Sequence, residues 1–398
     1  MYPTLYHALL DLTGLDWPVL KFLNSFGFFV ALAFVGAWWT LVLELKRKEG
    51  LGLIQAVTRK VMVGEAAKPG ELAMQGLTGF VLGWKGLYVL LHTAAVTADP
   101  PGFLLSGTGS VPGGLVLGAL FAWLHWREKE KHRLKEPKEE TITVHPAQHG
   151  GNITLTAALW GFIGAKLFHW LESPQDFLDL VRTGNISDII AGLTMYGGLI
   201  VAGIMVVRYF RKNGMAVLPS MDAAAPGLML AYGIGRLGCQ VAGDGDWGIA
   251  NTAPKPGWLP QWLWSYDYPN NVNAVLGPHR GGYVGEAITN GTCFEGYCTH
   301  LVPGVFPTPL YETLMCLLLF GVLWWLRKRI GLPGVLFCVY LILNGVERFL
   351  IEHIRVNVPF LGSWTQAEVI SLGLVILGTA GILWLRNNLR NGQAQGTH

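Results

Sequence analysis

Two arginines stand in segments that are otherwise apolar enough to lie in a membrane. Arg236 lies in the sequence GIGRLGC, and Arg348 lies in NGVERFLIEHIR. An ionised side chain inside a membrane helix costs about 3 kcal/mol on insertion scales, so it indicates a functional site by default. A guanidinium group stays protonated in such a setting and binds phosphate oxygens in pairs. The two residues therefore predict an anion site, and a lipid phosphate is the anion that fits it.

Arg348 begins a charged pattern near the end of its predicted helix. Arg348, Glu352 and Arg355 are spaced i, i+4 and i+7, which puts them on one face of a helix. Two interpretations stay open, because the three side chains either neutralise one another as a structural cluster or form the anion site. Glu347 is interpreted as an indirect partner of Arg348, since it points elsewhere on the helix.

The composition indicates the environment that these residues need. Of the 398 residues, 51% are apolar and 14% are charged, and the mean hydropathy is +0.38. A soluble domain carries about 25% charged residues, so we expect an integral membrane protein. The net charge of +3 comes from basic clusters beside apolar segments, which is typical of membrane topology and not of nucleic-acid binding.

Nine apolar stretches are long enough to predict transmembrane helices, which gives an all-α, polytopic fold. The predicted spans are residues 26–45, 77–96, 111–126, 153–171, 190–210, 223–238, 309–326, 334–351 and 366–385. An N-terminus outside the cell places 20 of the 29 Lys and Arg residues in the cytoplasm and four outside. This distribution follows the positive-inside rule and predicts a cytoplasmic C-terminus. No cleavable signal peptide is expected, because the first 20 residues lack a basic start and a continuous apolar run.

The chain divides into two predicted regions. Residues 1–150 form an N-terminal transmembrane region with an extra helix pair, and residues 151–390 form a core with an outer segment at 242–306. Gly-rich sequences recur at 77–121 and 159–205, which predicts a repeated two-helix unit or, alternatively, shared helix-packing glycines. In the outer segment, Cys293 and Cys298 form either a local disulfide or two free thiols. Zinc is disfavoured because only His300 lies near them, and we expect no metal or cofactor.

Several segments then match one family in order and spacing. The sequence GRLG at 235–238, followed by an acid and Gly248, is similar to the signature of prolipoprotein diacylglyceryl transferases. Further similar segments are MYGGLI at 195–200, SMDAAAP at 220–226, PTPLYE at 307–312, the Arg348, Glu352 and Arg355 pattern, and TQAEVISL at 365–372. The resemblance covers roughly residues 157–385.

The chain departs from the family pattern at the predicted site. Tyr196 stands where the family has a histidine before paired glycines, and Asn344 stands where it has a tyrosine. Within the signature, Cys239 and Ala242 replace asparagines, Gln240 replaces a phenylalanine, and the acid is either Asp244 or Asp246. The helix pair before residue 150 exceeds the family's usual seven spans.

The resemblance implies a reaction and a set of site residues. It implies transfer of the diacylglyceryl group of phosphatidylglycerol to the lipobox cysteine in the signal peptide of a prolipoprotein. The enzyme would act at the outer face of the bacterial cytoplasmic (inner) membrane. The implied catalytic residues are Arg236, Arg348 and Glu352. The implied substrate-binding residues are Tyr196, Gly197, Gly198, Gly235, Gly238, Asp244, Asp246, Gly248, Tyr311, Asn344 and Arg355.

The thiol base and two rival functions stay open. Tyr196 is a poor base near neutral pH and is assigned to substrate binding, so Glu352, Asp244, Asp246 or stabilisation of the thiolate by arginine are the alternatives. One rival is a phospholipid-binding membrane protein without transferase activity. The other is a diacylglyceryl transferase with a different acceptor.

Overall fold

The computed structural model describes residues 1–92, 96, 103, 106–183, 192–274, 276–289, 293–294, 296–357 and 359–395, and it is dominated by long helices. The helices are α1 Leu5–Thr13, α2 Ser25–Gly50, α3 Pro69–Leu91, α4 Val111–Lys131, α5 Gly150–Glu172, α6 Pro174–Thr183, α7 Met195–Lys212, α8 Val217–Ala242, α9 Gln261–Trp264, α10 Thr308–Leu326, α11 Val335–Glu352 and α12 Gln366–Gln395. Two short 3-10 helices cover Pro18–Phe22 and Pro146–His149.

Each predicted span overlaps one of these helices. Three described helices are long and apolar enough to cross a membrane, namely Ser25–Gly50, Thr308–Leu326 and Gln366–Asn388. That the six others also cross it, and that the N-terminus lies outside, remain predictions. The helix of the fifth predicted span, α7, begins at Met195 rather than at residue 190. Residues 93–95 of the second predicted span and residues 190–191 of the fifth lie outside the described residues.

Helix α8 lies at the centre of the core, where it packs against α2, α10 and α11. Glycines permit the close approach: a Cβ atom at Gly227 would lie 2.6 Å from Thr40 Oγ1, and one at Gly233 would lie 2.9 Å from the Cβ of Cys316. The helix ends because Gly243 adopts a left-handed conformation (φ 67°), in which its N–H donates to the carbonyl of Cys239. The chain then enters the outer segment with both aspartates of the signature.

The two units of the predicted repeat form similar helix pairs. In the α3–α4 pair, a Cβ atom at Gly83 would lie 2.1 Å from the carbonyl oxygen of Gly113. In the α5–α7 pair, a Cβ atom at Gly164 would lie 2.6 Å from the carbonyl oxygen of Gly197. Both pairs therefore depend on small residues that let two backbones touch.

The described residues also form three short antiparallel sheets, which the all-α prediction did not include. Antiparallel strands β1 Val57–Val63 and β2 Lys138–Val144 form a ribbon with Val57 opposite Val144. Strands β3 Gly277–Pro278, β4 Val284–Ala287 and β5 Thr299–Val302 form an antiparallel sheet in the outer segment. Strands β6 Pro359–Leu361 and β7 Trp364–Thr365 form a hairpin just before α12.

The outer segment has its own core and receives the N-terminus. Trp247, Tyr268 and Tyr283 are buried together there. The amino group of Met1 donates to the carbonyl of Pro269 at 2.6 Å. The N-terminus and the outer segment therefore lie on the same side of the helices. Cys293 and Cys298 form a disulfide, which resolves the alternative that the sequence left open.

Candidate active site

Arg236 lies near the C-terminal end of α8 and is 8% exposed. Its Nε lies 2.6 Å from Glu312 Oε2, and its Nη1 pairs with Asp246 Oδ2. Because α8 ends six residues later at Ala242, Asp246 can return to the same guanidinium group from the outer segment. The apolar helix thus holds its arginine between two carboxylates.

Glu312, which follows the first turn of α10, is the centre of the site. It is fully buried, and it accepts a hydrogen bond from the Tyr232 hydroxyl at 2.6 Å. Arg355 Nη1 donates to Glu312 Oε1 at 2.9 Å, and Arg348 Nη1 lies 3.5 Å from Glu312 Oε2. Glu312 is not among the site residues predicted from the sequence, although it ends the PTPLYE segment. A carboxylate at the start of an apolar helix was the signal that would have identified it.

Arg348 and Glu352 face each other on α11, as their spacing predicts, with Arg348 Nη2 at 3.1 Å from Glu352 Oε2. Thr365 Oγ1 donates to the other oxygen of Glu352 at 2.9 Å. Arg355 differs from the prediction, because α11 ends at Glu352 and Arg355 lies beyond it. Its guanidinium still reaches the site, where Nη2 lies 2.9 Å from Asp246 Oδ1.

We call Arg236, Arg348, Arg355, Asp246, Glu312 and Glu352 the arginine cluster. Its three positive and three negative charges balance. Arg348 Nη1 and Arg355 Nε are nevertheless buried without a hydrogen-bond acceptor among the described residues. Buried donors are normally satisfied, so these two nitrogen atoms are available to an anion. The cluster opens at Asp246, whose side chain is 40% exposed.

The two aspartates after α8 have opposite electrostatic environments. Burial and the neighbouring charge of Asp246 raise the pKa of Asp244. Burial also acts to raise the pKa of Asp246, but Arg236 and Arg355 outweigh it and hold that pKa below its usual value. Asp246 is therefore a permanent anion of the cluster, whereas Asp244 is the carboxylate that more readily takes a proton.

Cys239, Asp244 and Asp246 lie close enough together for a metal ion, with potential ligand atoms within 4.8 Å of one another. Both oxygens of Asp246 already contact arginine, however. Nearby guanidinium charges oppose a cation, so this group fits a metal poorly. The absence of a metal cofactor remains a prediction.

The three glycines of the signature have different surroundings. A Cβ atom at Gly248 would lie 2.3 Å from the carbonyl oxygen of Ile354, so only glycine lets this strand-like segment pair with the backbone of Arg355. Gly238 instead packs against Phe29 of α2, and Gly235 has open space around it. Gly248 is the glycine that brings Asp246 to Arg355.

Other predicted site residues lie in different surroundings. Gly197 and Gly198, which follow Tyr196 at the start of α7, pack against the backbone of α5. No contact recorded among the described residues joins Tyr196 to the arginine cluster. The Tyr311 hydroxyl donates to the carbonyl of Leu263 in the outer segment at 2.6 Å. Asn344 is half-buried on α11, one turn before Arg348.

The chain is similar to one family of known proteins. A family model described as prolipoprotein diacylglyceryl transferase matches residues 115–384, which include α5, α7, α8, α10, α11 and the whole arginine cluster. A phosphatidylglycerol–prolipoprotein diacylglyceryl transferase of Corynebacterium glutamicum is 31% identical over 248 residues, covering 60% of this chain and 72% of the relative.

Proteins of the same name from other bacteria are also similar. The one from Bifidobacterium adolescentis is 28% identical over 255 residues, covering 58% of this chain and 68% of the relative. The one from Clostridium tetani is 27% identical over 234 residues, covering 58% of this chain and 78% of the relative. The family match spans more than half of the chain, and the chain therefore belongs to the prolipoprotein diacylglyceryl transferase family.

Proposed function

We propose that this protein transfers the diacylglyceryl group of phosphatidylglycerol to the thiol of the lipobox cysteine of prolipoproteins. The products are a thioether and glycerol phosphate. Family membership and the names of the relatives support this activity. The departures at Tyr196 and Asn344 fall outside the recorded contacts of the arginine cluster, so they leave its charges intact.

The observation that carries the proposal is the position of Asp246 between two arginines. Its two oxygens contact Arg236 and Arg355, which come from different parts of the chain. A phosphodiester also presents two anionic oxygens and forms paired bonds with guanidinium groups. The phosphate of the lipid would enter beside the partly exposed Asp246 and accept hydrogen bonds from Arg348 Nη1 and Arg355 Nε, which lack an acceptor among the described residues.

The chemistry needs a positive field and a proton acceptor. The cysteine sulfur attacks the glycerol carbon that carries the phosphate, a carbon–sulfur bond forms, and the carbon–oxygen bond breaks with its electron pair moving to the phosphate oxygen. Fixed guanidinium groups stabilise that charge in a water-poor site. We assign the thiol proton to Asp244, because Glu352 is already held by Arg348 and Thr365.

We also propose the membrane setting that the sequence predicts. The enzyme would lie in the bacterial cytoplasmic membrane, with the arginine cluster and the segment 242–306 toward the outer face. The shared side of the N-terminus and the outer segment supports this orientation, as does the distribution of basic residues. Signal peptides of exported prolipoproteins would approach from that side, and residues 151–390 would form the catalytic region.

The proposal is tested by incubating the purified protein with phosphatidylglycerol and a lipobox peptide. The peptide should gain the mass of a diacylglyceryl group, and a peptide with serine in place of cysteine should not. No gain despite bound phosphatidylglycerol would contradict transferase activity and favour the lipid-binding alternative. Modification of a different thiol acceptor alone would favour a diacylglyceryl transferase with a different acceptor.

A further inference from the structure

Glu347 is a buried acid that the arginine cluster does not use. It lies on α11 beside Arg348 and is 2% exposed. Neither carboxylate oxygen forms a hydrogen bond of normal geometry in the part of the chain that the structure describes, and the neighbouring Tyr232 hydroxyl donates to Glu312 instead. A buried polar group without a partner requires an explanation in an otherwise satisfied site.

Glu347 faces charged and titratable groups on the helices packed around it. They are Tyr232 and Arg236 on α8, Glu312 and Cys316 on α10, and Tyr340 and Arg348 on α11 itself. Helix α12 carries Glu368 at this end, but its carboxylate accepts a hydrogen bond from the N–H of Thr365. Glu347 is thus close enough to sense the charge of the cluster without forming part of its ion pairs.

The balance of charges in the arginine cluster determines the protonation state of Glu347. The three arginines of the cluster already pair with Asp246, Glu312 and Glu352. A fourth carboxylate has no remaining positive charge to pair with, and an ionised carboxylate that is buried and unpaired is strongly disfavoured. Glu347 therefore carries a proton when the site is ready to accept an anion.

We propose that Glu347 makes the binding of the anionic phospholipid dependent on its own protonation. This inference rests on the proposed function only in taking phosphatidylglycerol as the ligand. Protonated Glu347 leaves the cluster neutral, so that the free donors of Arg348 and Arg355 can bind a phosphate. Ionised Glu347 adds a negative charge next to Arg348, and this charge repels the phosphate. Glu347 acts through the cluster and is a positioning residue, not a catalytic one.

The test compares the wild-type protein with Glu347→Gln, which keeps the shape and cannot ionise. The Kd of a short-chain phosphatidylglycerol is measured by calorimetry across a pH series. We expect the wild-type Kd to rise about tenfold or more toward alkaline pH, since a unit charge a few ångströms away acts strongly in a dry site. Glu347→Gln should keep the low-pH Kd throughout. Glu286→Gln, the same change at an exposed carboxylate on β4, should behave like the wild type.

A wild-type pH dependence that persists in Glu347→Gln would overturn the proposal, as would no binding at any pH. A second measurement does not need lipid. The infrared carbonyl stretch of protonated carboxyl groups, recorded in ester-free detergent, should be weaker in Glu347→Gln than in the wild type by the contribution of one carboxyl group. Equal bands in the two proteins would also overturn the proposal. Lipid binding with the expected pH dependence but without peptide modification would support the role of Glu347 in lipid binding and reject the transferase function.

Discussion

Arg355 donates from Nη1 to Oε1 of Glu312 at 2.9 Å, although 43 positions separate the two residues. The contact joins the N-terminal part of α10 to the segment that follows α11. It also fixes one edge of the guanidinium group, so that the other edge meets Asp246. Glu312 therefore orients the arginine and neutralises charge in the same contact.

Replacing Glu312 by glutamine should destabilise the protein. The substitution keeps the shape but leaves three arginines facing two carboxylates in a buried site. Breaking a buried ion pair costs about 3–5 kcal/mol, so a marked fall in thermal stability in detergent is expected. Glu286→Gln on the surface is the matched control and should leave the melting temperature unchanged. Equal melting temperatures for the two variants would show that Glu312 does not hold the cluster together.

Replacing Gly248 by alanine should lower activity because it displaces Asp246, although it removes no charged group. The new Cβ atom would lie 2.3 Å from the carbonyl oxygen of Ile354, which forces the backbone segment away from Arg355. Asp246 would move with it, and a displacement of about 1 Å in a catalytic site can cost a hundredfold in rate. The initial rate of peptide modification measures this effect. Gly257→Ala serves as the control because a Cβ atom there meets nothing within 4 Å, and equal rates in the two variants would contradict the prediction.

The assignment of Asp244 as thiol base predicts a particular pH dependence. A base must be ionised, and the pKa of Asp244 lies above its usual value, so kcat/KM should fall as the pH drops through that raised pKa. Asp244→Asn should remove this acid limb and lower kcat/KM by about 10²–10⁴-fold. An unchanged acid limb in the variant would assign the limb to another group. Because ionisation of Asp244 opposes folding, the variant should be at least as stable as the wild type above that pKa.

The sequence predicted most of the charged site because charges are rare in apolar helices. Arg348 and Glu352 were identified by type and spacing, and their contact agrees with the i, i+4 spacing. Arg236 was identified as a charge in an apolar helix. Glu312 was missed because the adjacent Tyr311 was chosen from the same segment. Neighbouring residues on a helix point about 100° apart, and here Tyr311 faces the outer segment while Glu312 faces the cluster.

Helix positions were also predictable, but helix partners were not. Apolar stretches located every long helix among the described residues. Asp222 and Arg236 lower the hydropathy of α8, and both are buried inside the protein. Paired glycines such as Gly197 and Gly198 suit both ligand binding and close helix packing, and the sequence cannot separate these uses. The contacts between α5 and α7 supply that information.

The most direct test of the account measures lipobox-peptide modification by four variants of the purified enzyme. Arg348→Ala should lower kcat by about 10²–10³-fold, since it removes a donor from the developing phosphate charge. Arg236→Ala should have an effect of similar size, because it removes a fixed positive charge and leaves Asp246 and Glu312 in excess beside the phosphate. Arg236→Lys should also be impaired, because an ammonium group cannot pair with Glu312 and Asp246 at once as the guanidinium does. Lys255→Ala, which removes an exposed side chain bonded only to its own loop in the recorded contacts, should retain wild-type turnover. Near-normal turnover in either arginine-to-alanine variant would contradict the phosphate site.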